Sequence, residues 1–346
     1  MRWLAALLLL SLTTPSHADT LRIASFNTEL SRDGPGLLFR DIERGNDPHI
    51  SAVVQTIAGA HPDVLALQGI DWDYEGRALN ALQSQLQKHG VHYPYLLALQ
   101  PNSGLASGLD LDGNNQFGEP RDSQGYGTFT GQDGIAVLSR LPIDDALVQD
   151  FSSLLWRDLP GALLPQYPDG TPFPSAQAQA VQRLSSTGHW VVPLTLPNGE
   201  RLNLLTFQAG PPLFDGPEDR NGRRNHDEIR LWQLLLDGDL GPVPGSPFVI
   251  AGGANLDPDR GDGRREAIRS LLVEPRLQDP RPSSAEADIN TVQWKNAGRM
   301  RVDYVLPSAD LKVLDAGVVW PPVSGQAGVA SSRHHLVWVD IALDQP

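Results

Sequence analysis

Side-chain oxygens alternate along one glycine-containing loop of this chain, at a spacing that suits a calcium ion. Ca²⁺ is bound by carboxylate, amide and carbonyl oxygens in flexible loops. Gly113 lies within the run, but Arg121 stands where an EF-hand needs its final acid, and the flanks do not read as helices. We therefore expect either a loop stabilised by Ca²⁺ over residues 110–122 or a polar turn without metal. The alternating residues are Asp110, Asp112 and Asn114, followed by Glu119 and Asp122.

A second segment, residues 214–225, is dense in charge of both signs. An Arg guanidinium binds phosphate or carboxylate through paired hydrogen bonds, so Arg220 and Arg223 are candidate contacts for an anionic substrate. Alternatively, the segment is an internally salt-bridged loop that caps a helix predicted over residues 226–236. Its charged residues include Asp219, Arg220, Arg223 and Arg224.

The elements that must position these side chains follow from hydrophobic periodicity. Long connections rich in Gly and Pro separate them, at residues 101–131, 159–176 and 211–222. Helices are predicted over residues 50–60, 77–89, 226–236 and 264–272. Strands are predicted over residues 21–26, 64–67, 134–139, 202–207, 248–251, 301–306, 311–319 and 336–343.

Composition limits the possible functions. The chain has 346 residues, of which 40% are hydrophobic, so it can bury a substantial core. It has no cysteine, which excludes disulfides, zinc–thiolate sites and thiol nucleophiles. A net charge of -14, with neither a basic helix nor a row of stacking aromatics, predicts no strong nucleic-acid patch. Composition leaves the oligomeric state open.

The N-terminal segment reads as an export signal. Arg2 precedes the apolar run Leu4–Leu12, and Ser16 and Ala18 supply the small residues that a signal peptidase reads. This run is too short to cross a bilayer, and no later stretch can. The sequence therefore predicts a signal peptide at 1–18 and an exported protein, periplasmic or extracellular, without a membrane span.

A series of separated segments carries a resemblance to a known family. Their order resembles the endonuclease/exonuclease/phosphatase superfamily, which includes DNase I-like nucleases and inositol-phosphate phosphatases. The resemblance implies a single domain over 19–346 with an α+β fold: a four-layer α/β/β/α sandwich of two mixed β-sheets flanked by helices. The segments are Ser25–Asn27, Asp63–Gly69, Gly134–Arg140, Leu204–Gln208, Val249–Asn255, Arg301–Leu306 and Ser332–His334.

The resemblance also implies an activity and a set of site residues. Its members hydrolyse phosphoesters with a divalent metal, so Mg²⁺ or Mn²⁺ is the implied cofactor of an active protein. A phosphorylated small molecule or a phosphodiester is the implied substrate. Asp303 would orient His334, which would stabilise the phosphoryl transition state or act as general acid–base. Asn27 and Asn255 would position phosphate and water.

Other positions depart from the family pattern. Gly69 stands where a metal-binding Glu is expected, and Gly253 replaces the Asp that would activate a nucleophile. Gln208 replaces a His, and Arg333 replaces an Asp; both become candidate substrate or phosphate contacts. An Arg at a metal position also repels a second cation.

Nearby acids can rebuild a metal site. Asp71 and Asp73 are two residues apart and share a face of an extended segment, while Glu29 lies two residues after Asn27. Alternatively, each is a solvated loop acid or a helix cap. The sequence thus leaves two hypotheses: a metal-dependent phosphoester hydrolase with a remodelled site, or a catalytically inactive member that acts as a binding or scaffold protein.

Overall fold

The structure, a computed structural model, describes residues 20–320 and 331–343. Its helices are α1 (Leu37–Arg44), α2 (Pro48–Ala60), α3 (Arg77–Lys88), α4 (Ala176–Val181), α5 (Arg220–Asp237) and α6 (Glu266–Leu272). Its strands are β1 (Thr20–Asn27), β2 (Val64–Ile70), β3 (Tyr95–Leu97), β4 (Gly134–Ser139), β5 (Gln149–Asp150), β6 (His189–Thr195), β7 (Arg201–Gln208), β8 (Phe248–Gly253), β9 (Val292–Trp294), β10 (Gly298–Met300), β11 (Asp303–Pro307), β12 (Val313–Val319) and β13 (Leu336–Ala342).

Two mixed sheets form the centre of the fold. The first has the strand order β12-β13-β1-β2-β4-β3 and the second the order β11-β8-β7-β6-β5; β9 and β10 form a separate hairpin. Each large sheet contains one parallel pair, β1 with β2 and β7 with β8, and its other pairs are antiparallel.

Three apolar clusters hold the layers together. Side chains such as Ile23 and Val137 of the first sheet pack against Leu204 and Val249 of the second. The opposite face of the first sheet is covered by α1, α2 and α3, and that of the second by α5 and α6. These four layers confirm the α/β/β/α sandwich that the resemblance implied.

The helix predicted over residues 226–236 is longer than expected, because α5 begins at Arg220. Its first turns bury polar side chains, including Arg224, Asn225 and Glu228. Hydrophobic periodicity cannot detect such a helix, so the second half of the charged segment was wrongly assigned to a loop. Strand β6 was also missed.

No helix among the described residues is both long and apolar enough to cross a membrane. The signal peptide predicted at 1–18 lies outside the described residues, so export stays a prediction.

Candidate functional site

Strand ends from both sheets converge on one edge of the sandwich. Asn27 ends β1 beside Gln68 of β2, and Gln208 ends β7 beside Gly253 of β8. Asp303 begins β11 directly opposite Gly253. The register thus brings the family segments together, as parallel strand ends at a sheet edge do in ligand-binding α/β folds.

Asp303 and His334 form a buried pair at this edge. The Nδ1 atom of His334 lies 2.9 Å from Oδ2 of Asp303, and the hydroxyl of Thr291 donates to the same oxygen at 2.9 Å. Burial opposes the charged imidazole, but the carboxylate of Asp303 outweighs it, and the pKa of His334 is raised. The structure brings together the two residues that the resemblance paired, and it directs Nδ1 to Asp303.

Arg333 binds Glu29. Its Nε donates to Oε1 of Glu29 at 2.7 Å, and its backbone N–H donates to Oε2 at 2.8 Å. The hydroxyl of Ser332 adds a third hydrogen bond at 2.9 Å. Burial works against the ionised carboxyl, but these donors prevail and the pKa of Glu29 is lowered. The carboxylate of Glu29, which the sequence predicted as a metal ligand, is therefore paired with the guanidinium of Arg333.

The other two proposed metal ligands have local partners. Asp71 is buried and accepts hydrogen bonds from the Ser31 hydroxyl at 2.7 Å and from the backbone N–H groups of Arg32 and Asp133 at 2.9 and 3.1 Å. Asp73 accepts from the backbone N–H groups of the first residues of α3, at 2.8 and 2.9 Å. Asp73 is thus a helix cap, the alternative that the sequence left open.

Gly69 has a backbone that excludes a side chain. Its φ is +75°, and β2 has a register irregularity between Gln68 and Ile70. A Cβ atom at Gly69 would lie 2.5 Å from Oδ1 of Asn27 and 2.6 Å from the backbone N of Glu29. The expected Glu therefore does not fit this backbone.

The side chain of Gln208 occupies the space into which a side chain at Gly253 would extend. A Cβ atom at Gly253 would lie 2.2 Å from Oε1 of Gln208, an atom that is buried and has no hydrogen-bond partner among the described residues. The Gln208 amide thus lies where the side chain of the expected Asp would begin. Because this amide is the flexible end of its side chain and can move, a side chain at residue 253 is excluded less strongly than one at residue 69.

Among the described residues, one amide atom of each of the two asparagines makes no hydrogen bond. Oδ1 of Asn27 accepts from the N–H of Glu29 at 3.2 Å, and Nδ2 of Asn255 donates to the carbonyl of Ala209 at 2.8 Å. Glu29, Asp133 and Asn255 all have positive φ, between 51° and 55°. Such conformations are costly and concentrate at functional sites.

The three acids predicted as metal ligands at this edge have partners within the protein. Glu29 is bound to Arg333, Asp71 is committed to three hydrogen bonds, and Asp73 caps α3. Within residues 20–320 and 331–343, the one group of three acidic or imidazole ligands close enough to share a cation lies elsewhere.

That group lies in the predicted calcium loop. Oxygens of Asp110, Asp112 and Asp122 lie within 4.8 Å of one another, so these acids could bind a metal. The sequence named all three acids, Asp110 and Asp112 in the alternating run and Asp122 after it. Asn114 has partners of its own: its Nδ2 donates to Glu119 at 2.6 Å, and its Oδ1 accepts from a backbone N–H.

A cavity of about 510 Å³ opens beside the strand ends. Gln208 and Asn255 line it, and so does Arg220, whereas Arg223 instead donates to the carbonyl of Glu218 at 3.1 Å. Sequence reasoning missed three other lining residues that lie in long loops or directly before a strand. They are Arg121, Tyr126 and Asp133.

Solved structures share this fold. The endonuclease/exonuclease/phosphatase from Beutenbergia cavernae DSM 12333 matches with a TM-score of 0.56 and 17% identity, over 94% of this chain and 72% of that one. A family protein from Leptotrichia buccalis C-1013-b matches with a TM-score of 0.53 and 18% identity, over 93% of this chain and 99% of that one. At such identities the likeness shows the fold alone. A search of curated proteins finds no match.

The sequence completes the assignment. The model of the Endonuclease/Exonuclease/phosphatase family matches residues 24–334, and the chain belongs to that family. This confirms the resemblance, and members of the family are phosphoesterases and nucleases.

The backbone at Gly69 gives a stability prediction. Gly69→Ala should lower the free energy of unfolding by about 2–4 kcal/mol, because it adds a clash to the cost of a left-handed conformation. Gly90 also has positive φ, but a Cβ atom there meets nothing within 4 Å. Gly90→Ala should therefore lose only about 1–2 kcal/mol. Chemical denaturation measures both, and equal losses would contradict the close contact at residue 69.

Asp133 gives a pH prediction. Burial, then repulsion from Asp71 and Glu29, raises its pKa to about 6. Between pH ~4 and ~6 the folded state therefore holds more protons than the unfolded chain, and stability falls as pH rises through this window. Asp133→Asn should be more stable than wild type at pH 8. The gain should be at most about 1 kcal/mol because Asp133, although surrounded by protein atoms, keeps surface that opens onto the cavity, where its charge is partly screened.

The gain from Asp133→Asn should disappear at pH 4. Denaturation at both pH values measures it, with Asp158→Asn as the control, because Asp158 is an exposed acid at the end of a short 3₁₀ helix elsewhere in the chain. A gain of the same size at both pH values would exclude a titration effect.

Proposed function

We propose that this chain is a ligand-binding member of the endonuclease/exonuclease/phosphatase family that does not hydrolyse phosphoesters. The observation that carries the proposal is the ion pair between Arg333 and Glu29 beside Gly69. The chain's own guanidinium supplies the positive charge at Glu29, whose backbone N would lie 2.6 Å from a Cβ atom at Gly69.

Loss of the nucleophile's partner supports the same conclusion. Water attack on a phosphoester needs a base or a metal to activate the water, and charge stabilisation for the leaving oxygen. Gly253 carries no base, and the Gln208 amide, which has no basic group at neutral pH, fills the adjacent volume. Retaining the fold without these groups leaves a cleft that can bind but lacks the family's means of hydrolysis.

The cleft has the dimensions of a binding site. A cavity of about 510 Å³ is typical for small-molecule ligands, and this one opens at the edge where strand ends meet. Its lining combines charged, amide and hydroxyl side chains with two exposed aromatic rings.

A remodelled phosphoester hydrolase is the second candidate, and the Asp303–His334 pair favours it. Asp303 fixes Nδ1 of His334, so Nε2 could exchange a proton with a substrate oxygen. In this alternative, Arg333 and Gln208 contact phosphate, and Mg²⁺ or Mn²⁺ would have to find ligands by displacing Arg333 from Glu29.

Hydrolysis assays separate the two candidates. Residues 19–346 are incubated with phosphomonoester and phosphodiester substrates in Mg²⁺, Mn²⁺, Ca²⁺ or EDTA, with His334→Ala as the contamination control. We expect turnover within about twofold of this control, because no group activates water. Metal-dependent turnover that is lost in His334→Ala would establish the hydrolase instead.

We also propose that Ca²⁺ binds the loop that contains Asp110, Asp112 and Asp122. Three carboxylates that share one volume repel one another, and a cation relieves the repulsion. Saturating Ca²⁺ should stabilise the wild type by about 1.4–2.7 kcal/mol at ten to a hundred times the Kd, and Asp112→Asn should lose most of this gain. Thermal unfolding in Ca²⁺ and in EDTA measures it, and coincident curves for the wild type would refute the site.

A further inference from the structure

The cavity beside the strand ends has charge of opposite sign in two separate places. Arg220 donates to the carbonyl of Leu111 and Arg224 to that of Gln124. Carboxylates also act on these arginines from a distance: Asp112, Asp215 and Glu218 on Arg220, and Glu228 on Arg224. Asp133 instead donates its backbone N–H to Asp71, so the arginines and Asp133 are held by different segments of the cavity wall.

The arginine end has buried cations without an ion-pair partner. Arg220 and Arg224 are 9% and 8% exposed, and no carboxylate oxygen of the described residues lies within 4.0 Å of either guanidinium. Burial lowers the pKa of both. Arg121 is about half-exposed and lies 3.9 Å from Asp112. A buried cation that lacks a close anion favours an anionic ligand.

Both buried arginines retain free donors. Nε and Nη2 of Arg224 donate to backbone carbonyls, as does Nη1 of Arg220. Nη1 of Arg224, and Nε and Nη2 of Arg220, make no hydrogen bond to the described residues. A guanidinium with unused donors at a cavity wall can bind a carboxylate.

The opposite end presents a free carboxylate. Asp133 donates its backbone N–H to Asp71, but its own side chain accepts no hydrogen bond within residues 20–320 and 331–343. It is exposed to the cavity, near Gln208 and Asn255, which also line it. An ammonium group placed here would relieve the repulsion among Asp133, Asp71 and Glu29.

Apolar surface is available on the same cavity. Tyr126 and Phe214 both line it and are 68% and 72% exposed. Phe214 is held at a φ of 73°, a rare conformation for a bulky residue. Two exposed rings on one small cavity are suited to an aromatic or aliphatic group.

Two further polar side chains line the wall without partners. Oγ of Ser103 and Oε1 of Gln182 are buried and make no hydrogen bond to any described residue. Ser103 and Gln182 are 2% and 1% exposed. Unpaired buried polar atoms of this kind are costly unless water or another polar group satisfies them.

We propose that this cavity binds a small zwitterion with an apolar body, such as an aromatic dipeptide. Its carboxylate lies at Arg121, Arg220 and Arg224, its ammonium group at Asp133, and its ring against Tyr126 or Phe214. A simple anion would leave Asp133 unpaired, and a cation would meet the arginines. The inference rests on the proposed binding function and names its ligand class.

Four forms of one dipeptide test the proposal. Alanyl-phenylalanine is compared by calorimetry with its N-acetylated, C-amidated and doubly blocked forms, against residues 19–346 with the wild-type cavity. The free dipeptide should bind at least about tenfold more tightly than either singly blocked form, because each block removes one charged contact. The doubly blocked form should bind weakest.

Two variants test which cavity residue contacts each charged end of the dipeptide. Asp133→Asn should abolish the difference between the free and N-acetylated forms, and Arg121→Gln should reduce the difference between the free and C-amidated forms. Arg220 and Arg224 are left intact because they hold backbone carbonyls. The matched controls, Asp158→Asn and Arg157→Gln, change charges outside the cavity and should preserve both differences.

Two results would overturn the zwitterion. Equal binding of the free and N-acetylated forms would indicate a simple anion site, and no binding of any form at millimolar concentration would exclude the ligand class. The readout is independent of phosphoester turnover. A hydrolase would therefore be revealed by the separate assay with His334→Ala, whatever the dipeptides do.

Discussion

Face-to-face packing of the two sheets determines everything at the candidate site. The apolar layer between them fixes the relative positions of β1–β2 and β7–β8, the two parallel pairs. Each pair ends at the same edge of the sandwich, so Asn27 and Gln208 are brought to that edge from different sheets. Because the layer is made of large buried aliphatic side chains, this geometry survives when the polar residues at the strand ends change.

Two of the acids at the cleft are paired with basic side chains of the protein itself. Glu29 is neutralised by Arg333, and His334 shares charge with Asp303. The side chain of Asp133 has no hydrogen-bond or ion-pair partner among the described residues, and burial, together with repulsion from Asp71 and Glu29, raises its pKa. Charge is therefore paired at Glu29 and His334 but unpaired at Asp133. This mixture of paired and unpaired groups differs from a metal site, in which several acids surround one cation.

The sequence contained enough information to derive the layers. Strands such as β2 and β8 are short runs of buried apolar residues, and their order carried the family resemblance. Helix α5 shows the limit: Arg224, Asn225 and Glu228 point inward and hydrogen-bond to loops, so their polarity concealed the start of a helix. Hydrophobic periodicity cannot reveal that a polar side chain is buried when its hydrogen-bond partners come from distant parts of the chain.

From the sequence, only the site residues that lie at strand ends could be predicted. Asn27, Gln208 and Asp303 follow from register, and their convergence needs no knowledge of loops. Asp133 precedes β4 directly, and this position was a usable signal that sequence reasoning passed over. Arg121 and Tyr126 come from a long connection whose path depends on Gly104, Gly125 and Gly127, where a Cβ atom would collide with backbone. Such paths are set by tertiary contacts that a linear pattern does not encode.

The conformation of Gly69 limits what a single substitution at this position can achieve. The present backbone is held by the hydrogen bond between the Asn27 side chain and the amide of Glu29, and a side chain at residue 69 would collide with both. An engineered acid here would therefore require the turn around Asn27 and Glu29 to be redesigned as one unit. The three residues form a single module, and changing one of them alone would disturb the other two.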